Sequence, residues 1–390
     1  MKVFGLDIVS GKVPTLINRD VKNRNNPDVW TWTPHKPEKI KNLISEVEKE
    51  RESVNYAVIT NYFPTNQKQN IALIFSIGNL SYGIIDNLVN SNIPFYYIKF
   101  SQFVALGELV IEINNSKSNF ILNLGGNILD LNDIKVVLYC EPPFPYPLFD
   151  NDKLPKSKGR HEFLFKKRWA QLLREFHLLL NPNTIWIPGN PYIGSQSWQN
   201  KIGELNIAKS FGLNIPHTIF TNKKDDVICF AGRDKILMRE FSTPPYSFPP
   251  IVIEDVTNLD FNDIAKSPVC FQKYIDKKYE YRVVIIGTKV FPVRIYSQDS
   301  ELAKNDWRVY DDANVKWELC EIPIDIETKL INLVSKLNLN WCSIDLIENP
   351  EGKFYYLETN RPGAHYWLDL FVGLDITKEI VCFIQELINE

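Results

Sequence analysis

The sequence predicts a mixed fold, α/β in its first half and α+β in its second. Three observations predict it. Between residues 71 and 100 an apolar run, IALIFSI, is followed by a helix-period stretch around Ile84, Ile85, Leu88 and Val89 and then by a second run, PFYYIKF, as in a βαβ unit. Further on, YEYRVVIIGTKVFPVRIYS sets two strand-like runs about Gly287-Thr288, a two-residue hairpin turn. Near the C-terminus, WCSIDLIENPEGKFYYLETN places an apolar run and an aromatic run on either side of Asn349-Pro350-Glu351-Gly352, a turn tetrapeptide.

With 390 residues and 44% hydrophobic content, the chain has room for two or three cored domains. A formal net charge of −3 gives no overall pull toward nucleic acid or an anionic membrane. Cysteines 140, 229, 270, 320, 342 and 382 show neither CxxC nor Cys/His spacing, so they read as reduced, buried thiols. No signal-peptide pattern and no span-length apolar run occurs, and a cytoplasmic protein is expected.

Residues 1–68 read as an N-terminal extension: a strand-like start, an Asn-rich loop, then a helix behind Pro37 with Ile40, Leu43, Ile44 and Val47 inward. Trp30, Trp32 and His35 suit a hydrophobic clasp on the next domain. That domain, 69–189, continues its sheet with strands near 120–124 and 136–139 and lacks a glycine fingerprint for dinucleotides. A Pro-rich connector, EPPFPYP, leads to a helix over 160–180. Its Phe163, Leu164, Ala170, Leu173 and Phe176 line a core, and Lys166, Lys167, Arg168 and Arg174 form a solvated basic face.

A further unit spans 190–276. NKIGELNIAKSFGLNIP predicts a helix with Ile202, Leu205, Ala208 and Phe211 on one side, Gly212 at its C-terminal cap and Pro216 beyond. Lys201 falls in its first turn, against the helix dipole, so an anion is expected beside it. A strand, KILMREF, carries Arg239 near its end; the Pro-rich STPPYSFPP and a strand, IVIEDV, follow.

In the last unit, 277–390, pairing Ile286 with Lys289 turns Glu280 and Arg282 to one face of the hairpin and Arg294 to the other. Pro292 favours an edge or a bulge. A helix with Ile326, Leu330, Leu333, Val334 and Leu337 precedes the acidic hairpin, and Asp375 is the expected N-cap of the final helix. If the four turn residues form the loop, Glu348 faces Lys353, Asp345 faces Tyr356 and Ser343 faces Glu358. Asp345, Glu358 and Asn360 then share one face, the two acids roughly 7–8 Å apart on the diagonal. Burying them is costly unless a hard cation such as Mg²⁺ offsets their charge. The plain alternative is an edge hairpin with two solvated acids.

A lysine at a helix start, an arginine on a strand, an acid and arginine on a hairpin and an Asp, Glu, Asn set are the parts that nucleoside triphosphate chemistry uses. Through NKIGELNIAKSFGLNIPHTIFTN, FQKYIDKKYEYRVVIIGTKVF, IYSQ, DWRVYD and SIDLIENPEGKFYYLETN, in that order, the chain resembles the ATP-grasp superfamily. More narrowly it resembles the ATP-grasp ribosomal peptide maturases, the graspetide or microviridin-type synthetases, from about residue 70 to the end. The resemblance implies an ATP-grasp fold: a pre-ATP-grasp α/β domain over 69–189, a central subdomain over 190–276 and a C-terminal subdomain with the metal site over 277–390. It assigns Lys201 and Arg239 to ATP phosphates, Gln272, Lys273, Tyr274 and Ile275 to the adenine hinge, and Glu280 to the ribose. Asp345, Glu358 and Asn360 match magnesium ligands; Arg282 and Arg308 match cationic positions by the γ-phosphate and acyl acceptor, with Arg239 also near the chemistry. Arg239 stands where lysine is usual, the adjoining loop has prolines where relatives have glycines, and YCEPPF replaces an arginine-bearing segment.

What the resemblance implies about activity is an ATP- and Mg²⁺-dependent, ADP-forming ligase. Such an enzyme activates Asp or Glu side chains of a ribosomal precursor peptide as acyl phosphates and closes ester or amide macrocycles with Ser/Thr or Lys. The expected partner is that peptide, leader plus core, with no nucleic acid and no membrane; a homodimer is compatible with it. The 240–252 loop is the expected lid. Two other readings stay open: a carboxylate-amine ligase acting on a small molecule or protein tail, and a silent nucleotide-binding scaffold.

Overall fold

The structure, a computed structural model, describes residues 2–3, 6–7, 61–62, 70–75, 81–98, 107–116, 118–124, 127–139, 168, 171–172, 175–190, 201–239, 241, 250–301, 303–305, 307, 315–361, 365, 368–369 and 372–390. The Pro37 helix, Trp30, Trp32, His35, the Pro-rich connector, most of the 240–252 loop and Arg308 lie outside them. Of the helix expected over 160–180, residues 168, 171, 172 and 175 are helical and Phe176 is buried; Phe163, Leu164, Ala170 and Leu173 also lie outside.

A short antiparallel pair, β1 (Lys2–Val3) and β2 (Leu6–Asp7), opens the chain. The expected βαβ unit follows as β4 (Ile71–Phe75), α1 (Ser81–Asn90) and β5 (Phe95–Ile98), after β3 (Asn61–Tyr62). Ile71, Ala72, Leu73 and Ile74 are buried on both faces, as a central parallel strand requires. The strand near 120–124 does not join this sheet. It is the middle strand of an antiparallel meander, β6 (Gly107–Ile113), β7 (Ser118–Leu124) and β8 (Asn127–Asp130). Its Asn119 and Asn123 keep it half-solvated, whereas a buried parallel strand is apolar throughout. The first sheet instead gains β9 (Ile134–Leu138) and β10 (Ile185–Ile187), giving the order β10-β9-β4-β5-β3.

Next come α2 (Lys201–Ser210) and β11 (Thr218–Thr221), then α3 (Lys224–Ala231), β12 (Ile236–Arg239), β13 (Ile251–Ile253), α4 (Phe261–Ile264) and β14 (Val269–Lys273). The strands form an antiparallel sheet ordered β11-β14-β12-β13. One face packs Ile236, Met238 and Phe271 with Val227 and Ala231 of α3; the other carries Thr218, Leu237, Arg239 and Gln272.

The last sheet, β17-β16-β15-β18-β19, is antiparallel throughout. It consists of β15 (Tyr279–Ile286), β16 (Lys289–Ile295), β17 (Trp317–Leu319), β18 (Trp341–Glu348) and β19 (Phe354–Asn360), with α5 (Ile324–Lys336) inserted before β18 and α6 (Ile376–Asn389) after β19. Ile286 pairs with Lys289 as expected. Gly287 takes φ +58° in that turn, and a Cβ there would meet the Phe383 ring at 2.9 Å, so only glycine fits. Pro292 sits inside the sheet, not at its edge. Its carbonyl still accepts from the Cys320 N–H at 3.0 Å, and β17 ends before the pair that would need a proline donor.

One face of this sheet, with Tyr281, Val283 and Ile344, packs on α2 and α5; the other, with Val284, Ile286 and Trp341, shares a core with α6 and the N-terminal sheet. Among the described residues no helix is long and apolar enough to cross a membrane. Cys229, Cys270, Cys320, Cys342 and Cys382 are unbridged. Cys229 is exposed, against expectation, while burial pushes the Cys342 thiol up to about 12 and leaves it inert.

Asp375 occupies the N-cap position of α6 without a side-chain cap bond. Asp369 caps instead, accepting from the N–H groups of Ile376 (2.7 Å) and Thr377 (3.3 Å) and from the Thr377 hydroxyl (2.8 Å). Burial pushes its carboxyl from 3.8 up to about 6. The folded state therefore holds the proton more tightly than the unfolded chain, so this contribution to stability is complete at low pH and is lost as pH rises through about 6. Thermal melts from about pH 4 to about pH 7 should show a smaller fall in Tm for Asp369→Asn than for the wild type.

Candidate active site

The acidic hairpin closes differently from the expected register. Its loop has five residues: Asn349 N–H bonds to the Lys353 carbonyl (3.0 Å), Lys353 N–H to Asn349 Oδ1 (2.8 Å), and Gly352 takes φ +78°. Glu348 thus pairs with Phe354, not Lys353. A bulge at Leu357 then shifts the ladder once more and sets Asp345 directly opposite Glu358 and Ser343 opposite Asn360. The shared face survives both shifts, and the two acids are nearer neighbours than the diagonal predicted.

That face continues onto β15, where Arg282 stands opposite Asp345 and Glu280 opposite Ile347. Arg282 Nη1 donates to Asp345 Oδ1 at 2.8 Å, and Asn360 Nδ2 to Asp345 Oδ2 at 3.0 Å. Glu358 Oε2 takes Lys201 Nζ at 2.8 Å and Arg239 Nη2 at 3.2 Å. Lys201 therefore has the anion its place in the first turn called for. Three cations meet two carboxylates here, so charge compensation by a metal is not needed to bury the acids. The same excess favours a polyanion.

The inward face of α2 is not the expected apolar stripe. Ile202 is 53% exposed, and Lys201, Glu204, Leu205 and Ala208 are buried. Glu204 accepts from Arg361 Nη2 (2.9 Å), the Thr359 N–H (3.2 Å) and the Tyr356 hydroxyl (3.2 Å), so α2 is tied to the strand carrying Glu358 and Asn360. Burial pushes its carboxyl up, and Arg361, Thr359, Tyr356 and Lys201 pull it back down in part.

Arg239, Asp345 and Glu358, with Gln272 and Glu280, line a solvent-open cleft between the β11-β14-β12-β13 sheet and the C-terminal sheet, bridged by residues 273–275. Two residues along a strand advance about 7 Å. Moving from Arg239 to Leu237 on β12, and from Asp345 to Ile347 on β18, therefore leads from the cation–carboxylate cluster to the bridge, where Leu237 and Ile347 lie near the Lys277–Glu280 pair. Glu280 stands level with Ile347 at the bridge end. Gln272 is buried, bonding to Thr218 Oγ1 (2.9 Å) and accepting from Arg239 Nη1 (3.4 Å); it orients the arginine. The N–H groups of Lys273 and Tyr274 bond to the carbonyls of His217 (2.9 Å) and Lys235 (3.1 Å), so those two hinge donors are used within the protein.

Sequence reasoning missed Lys277, whose ammonium meets Glu280 at 2.8 Å, and Trp307, which lies 6.0 Å beneath the Arg282 guanidinium. It missed the Glu204–Arg361 pair as well. An acid on the inward side of an otherwise apolar helix was the available signal for Glu204.

Among the described residues no group of three or more His, Cys, Asp and Glu could hold a metal. Two opposed carboxylates nevertheless fit Mg²⁺, which binds through one or two carboxylates together with substrate phosphates.

Two α+β units closing on one cleft, with hinge, cations and paired acids in this order, define the class: the fold is that of the ATP-grasp ligases. The chain resembles the RiPP-associated ATP-grasp ligase of Chryseobacterium gregarium in complex with ADP and a leader and core peptide, at 22% identity and TM-score 0.68, covering 82% of this chain and 97% of that one. It resembles macrocyclase MdnC of Microcystis aeruginosa, bound with precursor peptide MdnA, at 23% identity and TM-score 0.64 over 80% and 99% of the two chains. D-alanyl-alanine synthetase A of Vibrio cholerae matches at 12% identity and TM-score 0.52 over 83% and 100%. No family model and no curated protein sequence matches the chain.

Proposed function

We propose that the chain is a cytoplasmic, ADP-forming ligase that joins side chains of a ribosomally made precursor peptide. The supporting observation is the convergence of Lys201, Arg239 and Arg282 on Glu358 and Asp345 at one end of the cleft. A base at the bridge, ribose hydroxyls at Glu280 and phosphates at Lys201 and Arg239 follow the order of those groups along the strands. The higher TM-scores to the two peptide-bound ligases than to the D-alanyl-alanine synthetase favour a peptide over a free amino acid as substrate.

In the first step an Asp or Glu carboxylate oxygen of the peptide attacks the γ-phosphorus of ATP; that P–O bond forms, the bond to the β-phosphate oxygen breaks, and ADP leaves. In the second, a Ser/Thr hydroxyl or Lys amine attacks the acyl carbon, phosphate departs with the bonding pair, and the nucleophile loses its proton. Lys201 and Arg239 transfer from Glu358 to phosphate oxygens when the nucleotide enters. Arg282, held by Asp345, faces the charge that builds on transfer. Asp345, Glu358 and Asn360 would hold Mg²⁺, which when bound neutralises charge on the β- and γ-oxygens.

The test is to incubate the full chain with ATP, Mg²⁺ and a peptide encoded beside its gene that is rich in Thr, Ser, Lys, Asp and Glu. Peptide-dependent ADP release and the loss of one water mass per bond formed are expected. ADP release driven by free amino acids alone, or nucleotide binding without either product, would reject the macrocyclase reading.

A further inference from the structure

The cleft contains a buried cation that the phosphate and metal chemistry does not use. Lys277 lies in the connection between β14 and β15, and its side chain is only 6% exposed. Its ammonium meets Glu280 Oε1 at 2.8 Å and donates to the Asn305 carbonyl at 3.2 Å. Glu280 is equally enclosed, 8% exposed, and both side chains line the cleft beside the bridge. A lysine buried this far gives up strong hydration, and here it is matched by one carboxylate and one carbonyl.

We propose that Lys277 is a positioning residue for the nucleotide ribose, acting through Glu280; the inference rests on the nucleotide reading above. The ammonium anchors one carboxylate oxygen and so fixes the plane of the Glu280 carboxylate in the cleft. With a cation in contact the group is an acceptor only, the form that takes bonds from two ribose hydroxyls. Charge-assisted bonds of this kind are roughly twice as strong as neutral ones. The Asn305 contact also ties this corner to the segment leading to Trp307, the ring under Arg282. Lys277 thus sets specificity at the sugar and not strength at the phosphates.

The discriminating measurement is calorimetric affinity of the full-length chain for ADP and for 2′-deoxy-ADP, both with Mg²⁺. Wild type should prefer ADP by about tenfold, the worth of a hydrogen bond to a charged group. Lys277→Met should weaken ADP by about tenfold and 2′-deoxy-ADP by less than about threefold, so the preference nearly vanishes. Lys277→Arg, which keeps the charge, should retain most of it, and its folding is checked by the same melts as wild type. Equal weakening of both nucleotides in Lys277→Met, or an unchanged preference in both variants, overturns the proposal. A wild type that binds both nucleotides equally overturns it too and leaves the ligase reading intact, whereas a wild type that binds neither removes both.

Discussion

Asp345→Asn is expected to lower peptide-dependent kcat by about 10²–10³-fold while the chain stays folded. Asparagine keeps an oxygen to accept from Arg282 Nη1 but turns its amide nitrogen toward the Asn360 Nδ2 that donated to Asp345, so the fold loses one charge and one hydrogen bond. That change costs about 1–2 kcal/mol of stability, a shift of a few degrees in Tm. Its effect on nucleotide chemistry is larger, because Asp345 and Glu358 are the carboxylates that pair with Arg282 and with Lys201 and Arg239. Without it the cleft is more cationic, so ADP alone should bind as well as before or better. The gain in affinity on adding Mg²⁺, present in wild type, should disappear. Affinity with and without the metal, measured beside turnover, separates these effects. Survival of both turnover and metal dependence would remove Asp345 from the site.

Local patterns that carry their own geometry were legible. The Gly287-Thr288 hairpin forms as read, because its turn length leaves one register, and it puts Glu280 and Arg282 on one face. The acidic hairpin was half legible. A period-2 argument found the shared face, but Asn349 closes a five-residue loop and Leu357 bulges, and neither shows in alternation. The two slips each move the partner by one and leave the side-chain parity of Asp345, Glu358 and Asn360 on the same side. In α2, helical spacing chose Ile202 for the core because it is apolar, yet tertiary contacts turn Lys201 and Glu204 inward. Propensity and periodicity describe a helix against a generic apolar neighbour, and here the neighbour is a charged strand. For the same reason the partners of Glu358 were not legible in the hairpin: they are Lys201 and Arg239, 157 and 119 residues away in sequence. Arg294 shows the opposite case. On the far face, where its register puts it, it pairs with Glu318 at 3.5 Å and donates to the Tyr281 hydroxyl at 3.1 Å.

Glu204→Leu should destabilise the chain by about 3–5 kcal/mol, because it leaves the Arg361 guanidinium buried against an apolar side chain. The Glu204→Leu, Arg361→Met double variant should regain most of that loss. The reason is the cost of burying both charges: Glu204 and Arg361 are enclosed together, and an apolar pair of similar volume in their place avoids that desolvation. What the apolar pair cannot restore is registration. Glu204 bonds at once to the Thr359 N–H, next to Glu358 in the strand, and to the Tyr356 hydroxyl, two residues before it, and sits one turn from Lys201 in the helix. Those bonds fix how far along β19 the Lys201 ammonium reaches. Released from them, α2 is held chiefly by apolar packing of Ile207, Leu205 and Ala208, and apolar contacts tolerate sliding by an ångström. A displacement of that size at a reacting phosphate costs about 10²-fold in kcat/KM. The double variant should therefore melt close to wild type yet turn over poorly, a dissociation that chemical denaturation and steady-state kinetics on one preparation will read. Wild-type kcat/KM in a stable double variant would reduce the network to packing.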